Sequence, residues 1–232
     1  MGIKQRQDRD RAAVREAILH AARELFVTEG YRTVSMRKIA ERIEYSPAAI
    51  YGYFTSKDEI FFALAEEGFR MMHEAAREAA GATDEPLAAM RAAFWAYYRF
   101  ARTQPQYFEL MFVDRSVPQI TDVERFSVLA EMWHAATQCI ARCVDSGVFP
   151  PSIDVVAALH ILWASIHGAS TLHVCGRLGP DENPDLLAAD TLDTAIAGLR
   201  AGVRTSFVAS PCFIREVAGP TFPSPGVIDH VS

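Results

Sequence analysis

The sequence lacks the features that mark several large classes of protein. It contains no G-x-S-x-G, H-E-x-x-H, P-loop or G-x-G-x-x-G fingerprint, which argues against an enzyme. The N-terminal stretch MGIKQRQDRDR has no apolar core and is unlike a signal peptide. No segment is typical of a β-strand, and no internal repeat is evident. These absences favour an all-α protein with no catalytic residues and no cofactor.

Cysteine is scarce, and the longest apolar run is interrupted. The four cysteines have no C-x-x-C spacing, so we expect reduced thiols and no metal site in a cytoplasmic protein. Residues 155–174 form the most apolar run, but His160, Ser165, His167, Ser170 and His173 interrupt it. A bilayer would tolerate these side chains poorly, so we expect a buried helix and no membrane partner.

Charge is unevenly spread along the 232 residues, half of which are hydrophobic. The net charge of the chain is −6. Residues 1–57 are nevertheless basic, because they hold eleven of the 23 Lys and Arg but only seven of the 29 Asp and Glu. The rest of the chain is acidic, with twelve Lys and Arg and 22 Asp and Glu. A basic module on an acidic body suits a protein that presents one face to DNA.

The basic module contains three consecutive helix starts. Ser35 is placed to cap a short helix, and Ser46 followed by Pro47 starts a second helix of barely two turns. Ser56 and Glu59 have the spacing of a capping box at the start of a longer helix. Two short helices joined by a tight turn form a helix-turn-helix, here residues 35–54.

Residues 12–72 resemble the DNA-binding domain of TetR-family (tetracycline-repressor-like) transcriptional regulators. The matching signature is A-x-x-L-F-x-x-x-G-Y at residues 22–31, I-A at 39–40, Ser46, and Y-x-Y-F-x-x-K at 51–57. The sequence departs from the family at Glu44, where a glycine would suit a turn with positive φ. The resemblance implies a homodimeric repressor that a small-molecule effector releases from a palindromic double-stranded DNA operator.

The expected DNA contacts follow from the helix-turn-helix. Small alanines let the second helix of the helix-turn-helix approach a DNA groove closely, and tyrosines and a lysine are expected to reach phosphates. An arginine on the first helix of the helix-turn-helix is expected to face bases. The residues concerned are Ser35, Arg37, Ser46, Ala48, Ala49, Tyr51, Tyr53 and Lys57.

The second part of the chain, residues 83–208, is expected to be a helical effector-binding and dimerisation domain, followed by an irregular tail at 209–232. Helices are expected at about 85–103, 105–112, 121–146, 152–176 and 184–207. The last two would form the dimer interface, because the apolar run and the stripe at 192–207 are more than one subunit can cover. The W-x-x-x-H-G string at residues 163–168 resembles a subgroup of TetR C-terminal domains.

Aromatic and methionine side chains are abundant in this second part. Each of these side chains, taken alone, is more often part of the hydrophobic core. Together they suit an adaptable apolar cavity that binds an effector. This cavity is expected to lie against the long helix that starts at Lys57. The residues expected to bind it are Phe94, Tyr97, Tyr98, Phe108, Met111, Trp133, Trp163 and His167. Two alternatives stay open: a metal or thiol sensor using Cys139, Cys143 and nearby histidines, and an enzyme or adaptor without DNA binding.

Overall fold

The computed structural model describes residues 3–118 and 127–202, and every regular element within them is helical, as expected. A π-helical turn (Glu109–Val113) continues directly from α6. The α-helices of the described residues are α1 (Ile3–Glu29), α2 (Met36–Arg42), α3 (Pro47–Tyr51), α4 (Lys57–Gly81), α5 (Pro86–Thr103), α6 (Pro105–Phe108), α7 (Ser127–Asp145), α8 (Val155–Val174) and α9 (Pro184–Arg200).

Serine caps begin the three helices of the basic module that follow α1, as the sequence predicts. The hydroxyls of Ser35, Ser46 and Ser56 each accept the backbone N–H three residues on, at 3.2, 3.2 and 3.1 Å. The Glu59 carboxylate departs from the expected capping box. It accepts from the N–H and hydroxyl of Thr55, one residue before the cap, so it ties the incoming loop to the helix.

Several helix ends differ from the sequence-based expectation. Helix α1 begins at Ile3, and its first turns contain Lys, Gln and Arg, which favour helix. Helix α5 is capped by Glu85, whose carboxylate accepts the Leu87 N–H at 3.0 Å. Helix α8 begins after Asp154. The expected start of α7, the end of α9 and the tail lie outside the described residues.

Glu44, in the turn between α2 and α3, adopts a φ of 60°. It is the only non-glycine residue with positive φ among the residues described, and it stands where the resemblance expects glycine. The turn therefore keeps the left-handed geometry without the residue that adopts it at least cost.

Glu44→Gly is expected to stabilise the fold by about 1 kcal/mol, because glycine removes the cost of the left-handed backbone. Urea unfolding followed by circular dichroism measures this difference. The matched control is Glu66→Gly on the exposed side of α4, which should destabilise by about 1 kcal/mol because glycine weakens a helix interior. Loss of stability in both variants would contradict the assignment of strain to Glu44.

Helices α1, α2 and α3 pack together at one end of the molecule, and α4 leads from them into the second part. There α5 lies against α4, α7 and α8, and α9 covers α8. Helix α8 is the one described helix long and apolar enough to cross a membrane by length and composition. Its Leu159, Leu162 and Ile166 are buried in the core, which fits the expected core helix.

Candidate DNA-binding surface and effector site

The outer surface of α3 is open and carries small and aromatic side chains. Ala48 is exposed, Ala49 is half-buried, and Tyr51 is 54% exposed. Tyr45, which the sequence analysis missed, is 44% exposed in the turn just before α3. Its position beside Ser46 was the available signal. This surface has the shape expected of a helix that enters a DNA groove.

Arg37 projects from α2 on the same module. Its side chain is 79% exposed, and its Nε lies 2.8 Å from the Glu41 carboxylate. Two other basic residues of α2 are directed towards α1: Lys38 pairs with Glu29, and Arg42 lies 3.1 Å from Glu24. An exposed ion pair is easily exchanged, so Arg37 can leave Glu41 for a base or a phosphate.

Lys57 has a different environment from the expected one. Its Nζ donates to the carbonyls of Tyr31 at 2.7 Å and Val34 at 3.0 Å, and it lies 4.1 Å from the centre of the Tyr31 ring. Burial lowers the pKa of this ammonium group. Lys57 therefore joins the start of α4 to the loop after α1, and the phosphate contact expected of it stays a prediction.

Tyr53 is held by α1. The guanidinium of Arg11 lies 5.1 Å from the centre of the Tyr53 ring and donates to the Gly52 carbonyl at 3.0 Å. Arg15 stacks in the same way on Phe54, at 5.1 Å. These contacts fix the exit of α3 against α1, so the orientation of α3 depends on the position of α1.

An open groove of about 370 Å³ lies along α8. Its lining is almost wholly apolar and consists of His160, Ile161, Trp163, Ala164 and His167. Trp163 is 36% exposed, and the Trp133 ring of α7 meets His160 edge-on at 5.1 Å. The groove is open to solvent, and its five lining residues all belong to α8.

His167 is the centre of an aromatic cluster behind this groove. Its Nδ1 lies 2.7 Å from the Tyr97 hydroxyl, and its ring centre lies 5.5 Å from Phe108 and 5.3 Å from Phe112. Trp163 completes the cluster at 5.6 Å. Of the residues expected at the effector site, the structure thus brings together Tyr97, Phe108, Trp163 and His167, and it adds Phe112.

The remaining expected effector residues lie elsewhere. Tyr98 donates to Asp185 at 2.7 Å and so joins α5 to α9. Met111 packs on α4, where a Cβ at Gly68 would overlap its sulfur. Phe94 is buried in the core. The groove lies on α8 and not directly on α4, because the aromatic cluster fills the intervening space.

The cluster nevertheless reaches both helices that support the DNA-binding module. Phe112 contacts Phe69 of α4 edge-on, with ring centres 5.9 Å apart. Tyr107, next to Phe108, accepts a 2.7 Å hydrogen bond from Arg23 of α1, whose guanidinium also lies 4.8 Å from the ring centre. The Nε atom of Arg23 is buried without a partner. The cluster at His167 is thus packed against α4 through Phe112, and its neighbour Tyr107 contacts α1.

The described residues offer little to a metal or thiol sensor. No group of three or more His, Cys, Asp or Glu side chains able to hold a metal ion occurs in residues 3–118 and 127–202. Cys139 and Cys143 are buried, and burial raises the pKa of the Cys143 thiol to about 11. A thiol that stays protonated is a poor sensor.

Comparison with known proteins assigns the class. The family described as "Bacterial regulatory proteins, tetR family" matches residues 18–64, and "Tetracyclin repressor-like, C-terminal domain" matches residues 90–195. The chain belongs to the TetR family of DNA-binding transcriptional regulators. The match over 90–195 does not test the W-x-x-x-H-G subgroup, which stays a prediction.

Individual relatives are similar over part of their length. The chain is 32% identical to the "HTH-type transcriptional activator FasR" of Mycolicibacterium smegmatis, over 58% of this chain and 61% of that protein. It is 43% identical to the "HTH-type transcriptional repressor Rv1474c" of Mycobacterium tuberculosis, over 29% of this chain and 36% of that protein. The matches thus span less than two thirds of either relative.

Solved structures share the fold. The transcriptional regulator FadR of Bacillus subtilis, solved in complex with stearoyl-CoA, superimposes with a TM-score of 0.68. The sequence identity is 17%, and the superposition covers 79% of this chain and 98% of that one. At this identity the likeness shows the helical architecture alone.

Proposed function

We propose that the protein is a cytoplasmic, homodimeric repressor that binds a palindromic DNA operator through α3 and releases it when a small apolar effector binds near His167. The observation that carries this proposal is the continuous packing from the groove on α8 through Phe112 to Phe69 of α4. Helix α4 begins directly after the helix-turn-helix, so a ligand that favours one position of α4 also favours one position of α3.

The DNA contacts are assigned to the exposed surface of the module. Ala48 and Ala49 would face base edges, with Arg37 beside them on α2. Tyr51 would position the protein on the backbone, together with the hydroxyls of Ser35 and Ser46, whose oxygens accept cap hydrogen bonds and leave a proton to donate. Tyr53 is half-buried, so part of its side chain is available for such a contact.

The dimer interface is assigned to α8 with α9 beside it. The outer side of α8 exposes Gly168 and Leu172, and a Cβ at Gly168 would meet no described atom within 4 Å. The open space beside Gly168 would allow a helix of the partner subunit to pack closely there. The expected apolar stripe of α9 is corrected: Leu192 and Leu199 are buried within the subunit, and the stripe beyond residue 202 lies outside the described residues.

The proposed effector is an apolar molecule, for example one that carries a long acyl chain. The walls of the groove are apolar, and a structural relative was solved with stearoyl-CoA. The two curated relatives are named an activator and a repressor, so the direction of regulation is part of the proposal.

DNA selection tests the proposal. The purified protein should select a palindromic duplex from a random pool and bind it as one dimer, with an affinity that falls steeply as salt rises. A reporter gene behind that duplex should be expressed more when the protein is absent. Selection of no sequence, or binding that is independent of salt, would overturn the proposed DNA function; lower expression without the protein would make it an activator.

Effector binding is expected to quench tryptophan fluorescence, because Trp163 lines the groove and Trp133 adjoins it. A panel of apolar compounds that includes acyl-CoA thioesters, titrated against the free protein, measures this change. Trp163→Phe should remove most of the quenching, whereas Trp95→Phe, a partly buried tryptophan stacked 5.0 Å from Tyr98, should retain it. Equal quenching in both variants would place the effector elsewhere.

A further inference from the structure

The DNA-binding module, α1 to α3, is joined to the second part of the chain in at least two places. The first is α4, which starts directly after the module and runs into the second part. The second is the packing of α1 against α6 and against the π-helical turn that follows α6. A module held by one helix can rock about the start of that helix, whereas a second contact fixes its direction.

Tyr107 of α6 is at the centre of this second contact. Its side chain is 2% exposed, and a Cβ at Gly68 of α4 would lie 3.2 Å from an atom of its ring. Glycine at residue 68 therefore lets the ring lie close to the backbone of α4. The guanidinium of Arg23, on α1, lies 4.8 Å from the centre of the same ring. Tyr107 thus joins α6 to both α1 and α4.

The contact between Arg23 and Tyr107 is directional. The Arg23 Nη1 atom donates to the Tyr107 hydroxyl oxygen at 2.7 Å, and a guanidinium group can only donate. The Nε atom of Arg23 is buried and has no hydrogen-bond partner within residues 3–118 and 127–202. A buried donor without a partner costs stability, and an apolar pair of similar size would avoid that cost. Direction therefore explains this charged contact better than stability does.

We propose that the contact of Arg23 with Tyr107 is a clamp that sets the direction of the DNA-binding module, and thereby the spacing of the half-sites that the dimer accepts. The inference rests on the homodimer and the palindromic operator proposed above. In a two-fold dimer, the direction of each module sets the separation of the two α3 helices. Arg23 and Tyr107 are positioning residues, because they lie on α1 and α6 and not on the exposed surface of α3.

A change in half-site spacing tests the direction of the modules sharply. One base pair inserted at the centre of an operator moves one half-site by about 3.4 Å and turns it by about 35° around the DNA axis. Two clamped modules cannot follow both changes, whereas two modules that rock can follow them in part. The wild-type protein should therefore bind one spacing much more tightly than the neighbouring spacings.

The probes are the palindromic duplex that the wild-type protein selects from a random pool, and the same duplex with one central base pair inserted or removed. Fluorescence anisotropy measures the affinity of the full-length protein for each duplex. Tyr107→Phe keeps the ring and removes the acceptor, and the double variant Arg23→Met/Tyr107→Phe makes both partners apolar. The matched control is Tyr98→Phe, which removes the 2.7 Å hydrogen bond of a buried tyrosine to Asp185 within the second part of the chain.

The wild-type protein is expected to bind the altered spacings roughly 100-fold more weakly, because it then loses the gain from linking two half-site contacts. Tyr107→Phe should reduce this penalty about tenfold, the worth of one hydrogen bond to a charged group. It should also unfold at a lower temperature, since it leaves another Arg23 donor unpaired. The double variant should unfold near the wild-type temperature and still show the reduced penalty. Tyr98→Phe should keep the wild-type penalty.

The double variant separates positioning from stability, and it keeps the test available if Tyr107→Phe does not fold. A wild-type spacing penalty in the double variant, or an equal fall of the penalty in Tyr98→Phe, would refute the clamp and leave the proposed function standing. The same holds if the wild-type protein binds all three spacings equally. If the wild-type protein selects no palindrome, the clamp and the proposed DNA function both fail.

Discussion

Ala48→Trp is expected to lower the affinity for the selected operator at least about 100-fold, because specific binding typically exceeds non-specific binding by roughly 10³-fold or more. Ala48 is exposed on α3, where a small side chain lets the helix approach base edges. An indole at this position holds the helix away from the groove. The variant then binds DNA only through the electrostatic attraction to the phosphates. Fluorescence anisotropy with a labelled duplex measures the loss.

The control for this substitution is Ala130→Trp, at an exposed alanine of α7 in the second part of the chain. It should bind the operator like the wild-type protein. Both variants should unfold at the wild-type temperature, because neither alanine packs in the core. Wild-type operator affinity in Ala48→Trp would refute the assignment of α3 as the helix that reads the DNA.

Leu172→Glu is expected to raise the dimer dissociation constant at least about 100-fold. Leu172 is 42% exposed on the outer side of α8, and a two-fold interface would bury the new charge twice without a partner. Operator affinity should fall with it, since a monomer loses the gain of roughly 10²-fold or more that comes from linking two half-site contacts.

Sedimentation at micromolar concentration and anisotropy on the operator measure the two effects. Ala130→Glu introduces the same charge on α7 and should stay dimeric. Leu199, by contrast, is unsuitable for this test because it is buried in its own subunit, where a charge would unfold the protein. A dimeric Leu172→Glu protein, or a monomeric wild-type protein, would overturn the assigned interface.

The basic module was largely predictable from the sequence, because its signals are local. Ser35 and Ser46 cap the helices that they were expected to cap, and Pro47 starts α3. The contacts of Lys57 could not be predicted, for the opposite reason. Its partners, the carbonyls of Tyr31 and Val34, belong to a distant loop, and no periodicity in the sequence indicates where a long side chain folds back.

The effector site was predictable in composition but less so in place. The aromatic residues gathered at His167 were expected as a set, yet Tyr98 and Tyr97 are adjacent in sequence and serve different helices. A rotation of about 100° between neighbouring residues of a helix separates them, and only the packing of α8 and α9 decides which one reaches the groove. The apolar stripe of α9 was expected at the dimer interface for a similar reason. An apolar helix face predicts burial, but it does not show whether the same subunit or its partner covers that face.

The central claim is that occupancy of the groove at His167 controls DNA binding by α3. Its most direct test is a single titration of an effector from the panel into the complex of the dimer with labelled operator, recording tryptophan fluorescence and duplex anisotropy together. We predict that both signals change with the same midpoint, and that Trp163→Phe loses most of the fluorescence change. Effector binding that quenches Trp163 and leaves the duplex bound would contradict the claim.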